Sequence, residues 1–455
     1  MSWLTRDKGF YKNLFSLAAP LMLQNIVTYS VNLADNVMVG SLGEAALSGV
    51  FMSNQIQTLL QMLVTGLAAA LAVLATQYWG RRDLGSVKQL IGISMKLSML
   101  LAVLCWGAVF FFPTQVLGLF TDEASVVEEG ARYIRIVCFS YPFFVFTNVL
   151  VAALRSVETV RVGMYLSFSA LVTNVFLNWV LIFGHLGAPA LGIRGAAIAT
   201  LSARMLESAI ILFYIKRVDQ KLCLKFRELL HSSRVLVGDF FRYGFPVILG
   251  DITWGLNMAT QSAIIGRLGA AAISSVSIAN TLLQILSVGV YGLSGATAIV
   301  IGKTVGSGDY EKVKQYARTM QLIFLGMGLF TGALVFFSKD LIIQAVYRNL
   351  APETLHMASQ FLTVLSVTIV GTGYQMSVLT GIVRAGGATH FVLVNDLIFV
   401  WLIVIPSACV AAFLLHAEPW VVFACLKSDQ VLKCAVAVVK VNRFRWIKNL
   451  TRADL

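Results

Sequence analysis

An aspartate inside an apolar helix is an expensive residue, and Asp35 stands in one, the run TYSVNLADNVMVG over residues 28–40. An Asp at the centre of a membrane span costs about 2.5 to 3.5 kcal/mol on insertion scales, so it needs a task or a partner. Asn174 and Asn178 offer the partner. They stand at i and i+4 in LVTNVFLNWVLIFG, residues 171–184, and so project from one helical face. A carboxyl held by two amides in a water-poor cavity can exchange a proton or hold a Na+ ion near neutral pH. The plainer readings are a solvated helix end near Gly40 and an amide pair that merely joins two helices. The cation-coupling candidates are Asp35, Asn174 and Asn178, with Asp35 as the metal ligand if the ion is Na+. Asp251 and Asp396 lie near the beginnings of their apolar segments, where a carboxylate reaches the interface or pairs with a loop Lys or Arg. Arg204 and Glu207, three apart, are placed to neutralise each other.

Other chemistry lacks its residues. No GxxxxGK[ST] phosphate loop occurs, so the chain has no ordinary means of spending ATP. The five histidines stand in no metal-ligating spacing, and the six cysteines (Cys105, Cys138, Cys223, Cys409, Cys425, Cys434) form neither a CxxC site nor a disulfide framework. Neither DDxxD nor HExxH is present, which argues against an intramembrane enzyme. No cofactor is expected beyond H+ or Na+ as coupling ion.

The elements that carry these residues belong in a bilayer. Hydrophobic residues make up 58% of the chain and charged residues 13%, where soluble domains carry about 25%. A span needs roughly 20 apolar residues, and twelve segments qualify: 14–38, 47–78, 91–112, 131–153, 163–184, 195–215, 240–265, 272–301, 319–338, 358–382, 391–415 and 419–439. The last is weakest, because Lys427, Asp429, Lys433 and Lys440 would also suit a surface amphipathic helix. Alternate loops are basic: 26 Lys and Arg fall on one side, including seven from Lys216 to Arg242. Six fall on the other, at Arg132, Arg135, Arg194, Arg267, Lys339 and Arg348. That asymmetry places both termini in the cytoplasm, and it accounts for most of the net charge of +13 without any nucleic-acid partner.

The chain is also duplicated. Residues 20–89 recur without a gap at an offset of 226, so that GSLGEAALSGV (Gly40 to Val50) faces GRLGAAAISSV (Gly266 to Val276) and Pro20 faces Pro246. An even number of spans per half makes the halves parallel repeats. The expected fold is all-α and integral to the membrane, with twelve transmembrane helices as two pseudo-symmetric six-helix bundles. The N-terminal bundle takes residues 1–220, a cytoplasmic loop 221–239, and the C-terminal bundle with its basic tail 240–455. KFRELLHSSR, residues 225–234, should lie along the cytoplasmic surface, and the Gly-rich runs 289–295 and 326–332 should be close-packing faces. The symmetry breaks at the ionisable groups, since Asp35 faces Gln261 and Asn25 faces Asp251.

Pro20, Asp35, the segment Gly40 to Leu47, the block NVFLNWVLIFGHLGAPALGIRGAAIAT (Asn174 to Thr200), the repeat and VWLIVIP (Val400 to Pro406) together resemble the multidrug and toxic compound extrusion (MATE) family. The resemblance covers nearly the whole chain. It implies two six-helix bundles around a V-shaped cleft, alternating access, and export of cationic or amphiphilic compounds against inward H+ or Na+. Asp35, Asn174 and Asn178 match the family's N-lobe cation-linked cavity. The chain departs from the pattern at Trp254, where some members carry glutamate, and at RSVET (Arg155 to Thr159) where RGxGDT is usual; RAGGAT (Arg384 to Thr389) keeps more of the glycines. The reading is a cation-coupled multidrug antiporter of the plasma membrane, monomeric, surrounded by lipid. Asp251, Trp254, Met258, Gln261, Asn280, Gln284 and Tyr291 are candidates for an adaptable substrate cleft. The alternative is a flippase for a lipid-linked saccharide, which would want basic residues from several spans converging on one cleft.

Overall fold

The computed structural model describes residues 4–121, 123–346 and 352–452; Arg348 lies outside them. Among the described residues twelve long helices run α1 (Lys8–Gly40), α2 (Glu44–Gly80), α3 (Leu84–Phe111), α4 (Ala124–Ser156), α5 (Arg161–Phe183), α6 (Ile193–Arg217), α7 (Arg234–Gly266), α8 (Ala270–Gly306), α9 (Tyr310–Val346), α10 (Pro352–Arg384), α11 (Thr389–Leu414) and α12 (Pro419–Asn442). No strand occurs among the described residues. All except α7 and α12 are long and apolar enough to cross a membrane by length and composition.

The duplication is written into the helix ends. α7 begins and ends 226 residues after α1, and α8 does so after α2. The reason is local. Gly43 and Gly269 both take φ above 100°, which an L side chain resists, and each starts the second helix of its repeat. Asp83 caps α3, its Oδ1 accepting the Ser86 N–H at 3.0 Å, and Asp309 at the same register precedes α9 and pairs with Lys312 at 2.8 Å.

The chain forms two compact units. One joins the residues up to Met22 to those from Leu249 onward, and the other is Leu23–Ile248. Each unit therefore holds one end of a helix whose remainder is in the other. The divisions in α1 and α7 fall two residues past Pro20 and Pro246, at equivalent positions of the repeat. A glycine receives each exchanged end. A Cβ on Gly292 of α8 would stand 3.0 Å from the Met22 nitrogen, and one on Gly66 of α2 would stand 3.0 Å from the Ile248 Cα. Gly292→Ala and Gly66→Ala are each expected to cost about 1–3 kcal/mol by overpacking a backbone contact, read as a lower unfolding midpoint in detergent. Midpoints equal to wild type would show that the crossings tolerate a methyl group.

In the Leu23–Ile248 unit the core runs through Val50, Leu60, Val64, Ala102, Tyr133, Val145 and Ala197. In the other it runs through Ala272, Ala279, Phe361, Leu365, Ala408, Phe423 and Leu426. The outward faces are as apolar as the cores: Leu33, Phe330, Phe337 and Leu402 are all exposed, as helices facing hydrocarbon are. The run 326–332 is a close-packing face, since Cβ atoms on Gly328 and Gly332 would lie 2.8 and 2.6 Å from the carbonyls of Val370 and Ser366 on α10. Residues 226–230 form a short turn on α3, where Gly92 abuts the Leu229 carbonyl and Lys88 pairs with Glu228 at 2.9 Å. Gly386 of RAGGAT faces the buried Trp446, whereas in RSVET the Glu158 backbone takes φ 61° and its carboxylate accepts the Trp79 indole N–H at 3.3 Å.

Candidate functional site

Asp35 lies five residues before the end of α1, partly buried. α5 brings the amides to it. α5 and α6 form a tight hairpin because Gly195 lets α6 approach the α5 backbone at Leu181, and Leu191 N–H donates to the Leu181 carbonyl at 2.9 Å. Asn174 and Asn178 are then buried, at 3% and 0% exposure. Asn178 Nδ2 donates both to Asp35 Oδ1, in a short hydrogen bond, and to Asn174 Oδ1 at 3.1 Å. All three residues thus form one chain of hydrogen bonds within the Leu23–Ile248 unit.

Two further features of this site escape a sequence reading. Tyr133 on α4 is 2% exposed and lies within electrostatic reach of both Asp35 and Arg204. Its only sequence signal is a tyrosine on the apolar face of a segment with charges on the other. Arg204 also acts on Asp35, while its guanidinium is held by Glu207 at 2.8 Å and stacks 5.1 Å from the Phe144 ring. The site therefore holds two carboxylates and one paired cation. Asn178 Oδ1 is buried and has no hydrogen-bond partner. An unmet acceptor beside a carboxylate is what a proton or a small cation would satisfy.

The candidates in the second repeat are spread along α7 and α8. Asp251, Trp254, Met258 and Gln261 follow a helical stripe on α7. Trp254 is exposed, Met258 partly buried and Gln261 buried. Asp251 accepts from Arg384 at 3.4 Å. On α8, Asn280 and Gln284 are exposed and Tyr291 is partly buried.

The charges of α12 point inward, unlike those of a surface amphipathic helix. Lys427, Asp429 and Lys433 are 8%, 4% and 4% exposed. Lys433 binds Asp396 at 2.8 Å and Asp429 at 3.2 Å, and Lys427 donates to Gln261 at 3.1 Å. Gln430 accepts from Gln375 at 2.7 Å and from Thr372 at 3.1 Å on α10. The Lys433–Asp396 and Lys427–Gln261 contacts were hidden because their members lie 37 and 166 residues apart in sequence. A GxGD string, the mark of some intramembrane proteases, does occur at Gly306–Asp309, but it is the surface turn whose Asp309 holds Lys312. No cluster of three or more His, Cys, Asp or Glu that could hold a metal occurs among the described residues.

A family model described as MatE matches residues 20–180 and 246–410, two stretches that begin at the offset of the internal repeat. A protein named probable multidrug resistance protein NorM, from Rhizobium meliloti, is 27% identical over 416 residues, covering 88% of this chain and 85% of that protein. An uncharacterized transporter, YisQ of Bacillus subtilis, is 24% identical over 407 residues, covering 88% and 87%. Among solved structures, a Vibrio cholerae MATE transporter superposes with a TM-score of 0.86 at 18% identity, covering 96% of this chain and 98% of that one. A MOP superfamily transporter from Pyrococcus furiosus does so with a TM-score of 0.83 at 20% identity, covering 95% and 96%.

Proposed function

Since the chain belongs to the MatE family and is a multi-pass membrane transporter rather than an enzyme, we propose that it exports cationic or amphiphilic compounds by antiport against inward H+ or Na+. The observation that carries the reading is the Asp35 carboxylate bonded to the buried amide of Asn178. Relatives named as multidrug resistance proteins support the substrate class.

In this cycle an ionised Asp35 attracts a cationic substrate. Taking up a proton, or Na+, cancels that attraction. Protonation also turns a carboxylate oxygen from acceptor into donor, and the Asn178 amide then presents its unmet Oδ1 by rotating about its last bond. Rotation breaks the Asn178–Asn174 bond, so the proton's arrival on α1 is felt along α5. Alternating exposure of the binding region to the two sides of the plasma membrane completes the cycle, with both termini cytoplasmic and the chain acting as a monomer.

The flippase alternative wants several basic spans converging, whereas Arg204 and Lys433 are already paired with carboxylates. The experiment is efflux of a fluorescent cation from vesicles under H+ and Na+ gradients imposed one at a time. Transport driven by at least one of them is expected. Transport driven by neither, with movement of a labelled lipid-linked saccharide instead, would replace this reading with the alternative.

A further inference from the structure

We propose that Lys427 is a second proton-exchanging group of this transporter, the cationic counterpart in the second repeat of Asp35 in the first; the inference rests on the antiport reading above. Offset 226 puts Gln261 at the register of Asp35. There Gln261 is bonded to Asn257, four residues earlier on α7, with its Nε2 donating to Asn257 Oδ1 at 3.0 Å. The first repeat has the same device on α5, Asn178 donating to Asn174 at 3.1 Å. In each case one amide of the pair also holds an ionisable group from another helix. The polarity is reversed: Asn178 offers N–H to a carboxylate, and Gln261 offers its carbonyl to the Lys427 ammonium at 3.1 Å.

Lys427 differs from the other buried cations of its unit. Arg384 has Asp251, and Lys433 has Asp396 and Asp429. No carboxylate among the described residues lies within ion-pair distance of Lys427, which meets the Gln261 carbonyl and stands 5.7 Å from the Phe423 ring centre. Of the charged groups on the helices around α12, Asp251 on α7, Arg384 on α10 and Asp396 on α11 are engaged elsewhere, Arg234, Asp239 and Arg242 lie in the first turns of α7, and Glu353, His356 and His390 stand at helix starts, while on α12 itself Asp429 acts on Lys427 without an ion pair. An ammonium whose direct partners are an amide carbonyl and a ring, with the Asp429 carboxylate acting on it from beyond ion-pair distance, sets little against loss of its charge, and lysine, unlike arginine, can lose it. An ionisable side chain buried in the helical core of a membrane protein is by default a candidate functional group.

The step balances without another reactant. A Lys427 N–H bond breaks, its electron pair stays on nitrogen, and H+ passes to water. The amine is then an acceptor, so Gln261 turns its Nε2 toward it and releases Asn257. Asp429, two residues on, and Lys433, which joins Asp429 to the one-third exposed Asp396, form a polar run along α12 that the proton can follow.

The test uses the full-length protein in liposomes, counting H+ moved per fluorescent cation from the reversal point under opposed pH and voltage gradients. Lys427→Arg keeps the charge and the bond to Gln261 but holds its protons, and Lys427→Met removes the charge. Both are expected to move one H+ fewer per cation than wild type, and Lys427→Met is expected to unfold no earlier than wild type, because an unpaired buried charge has gone. Should a variant not turn over, protons exchanged on substrate binding are counted calorimetrically in two buffers of different ionisation heat, again with one fewer expected. A wild-type count in Lys427→Arg by either measurement overturns the inference alone. Wild-type protein that moves no H+ overturns it together with proton-coupled antiport.

Discussion

Asp35→Asn is expected to give a folded, membrane-inserted protein that no longer exports a fluorescent cation when a H+ or Na+ gradient is imposed. The substitution changes almost nothing in shape. An asparagine carbonyl still accepts from Asn178 Nδ2, so the link between α1 and α5 survives and the unfolding midpoint should stay near that of wild type. What disappears is the charge. A unit charge 4 Å from a cationic substrate is worth about 4 kcal/mol at an effective dielectric of 20, which corresponds to roughly a thousandfold in affinity. The variant also has no proton to trade, so coupling is lost even where an apolar substrate still binds. Wild-type transport by this variant would remove Asp35 from the mechanism.

Lys433→Met should be the most damaging single change in the second repeat. Lys433 pairs with Asp429, which is 4% exposed, and with Asp396. Removing one member of a buried ion pair leaves an uncompensated charge and typically costs 3–5 kcal/mol. Loss of the monodisperse protein in detergent, or a sharply lower unfolding midpoint, is the expected result. Adding Asp429→Asn should recover part of that loss, because the stranded carboxylate is then neutral. A single variant as stable as wild type would mean that α11 and α12 are held by their apolar contacts, with Phe361 stacked on Phe423 at 4.5 Å joining α10 to α12.

The contrast between Lys433 and Lys427 separates structural from exchangeable charge in one helix. The same side chain six residues apart has two carboxylates in one case and an amide in the other. The first is predicted to matter for stability and the second for stoichiometry, which are different measurements. Gln430, held by Gln375 and Thr372 and donating to Asp429 at 3.0 Å, ties the partner of Lys433 to α10.

Much of the first-repeat site was legible because its chemistry is local. Asp35 stands out by cost, and Asn174 and Asn178 by a spacing that any α-helix turns into one face. The second-repeat cluster was not legible. Lys427, Asp429 and Lys433 read as a polar stripe, and whether such a stripe faces water or a bundle depends on Asp396 and Gln261, which lie on helices 31 or more residues away in the chain.

By itself the sequence determined that the chain is a duplicated helical membrane protein and placed a candidate span on each of its twelve long helices. These follow from apolar length, from glycines at positive φ and from a register of 226 that needs no long-range information. Only the tertiary structure decided that the ends of α1 and α7 belong to the unit of the other repeat, that α12 buries its charges, and that Lys427 meets an amide where Lys433 meets two carboxylates. Those outcomes turn on contacts of a few ångströms between distant segments, such as Gly292 against Met22, and neither composition nor periodicity records which distant segments will meet.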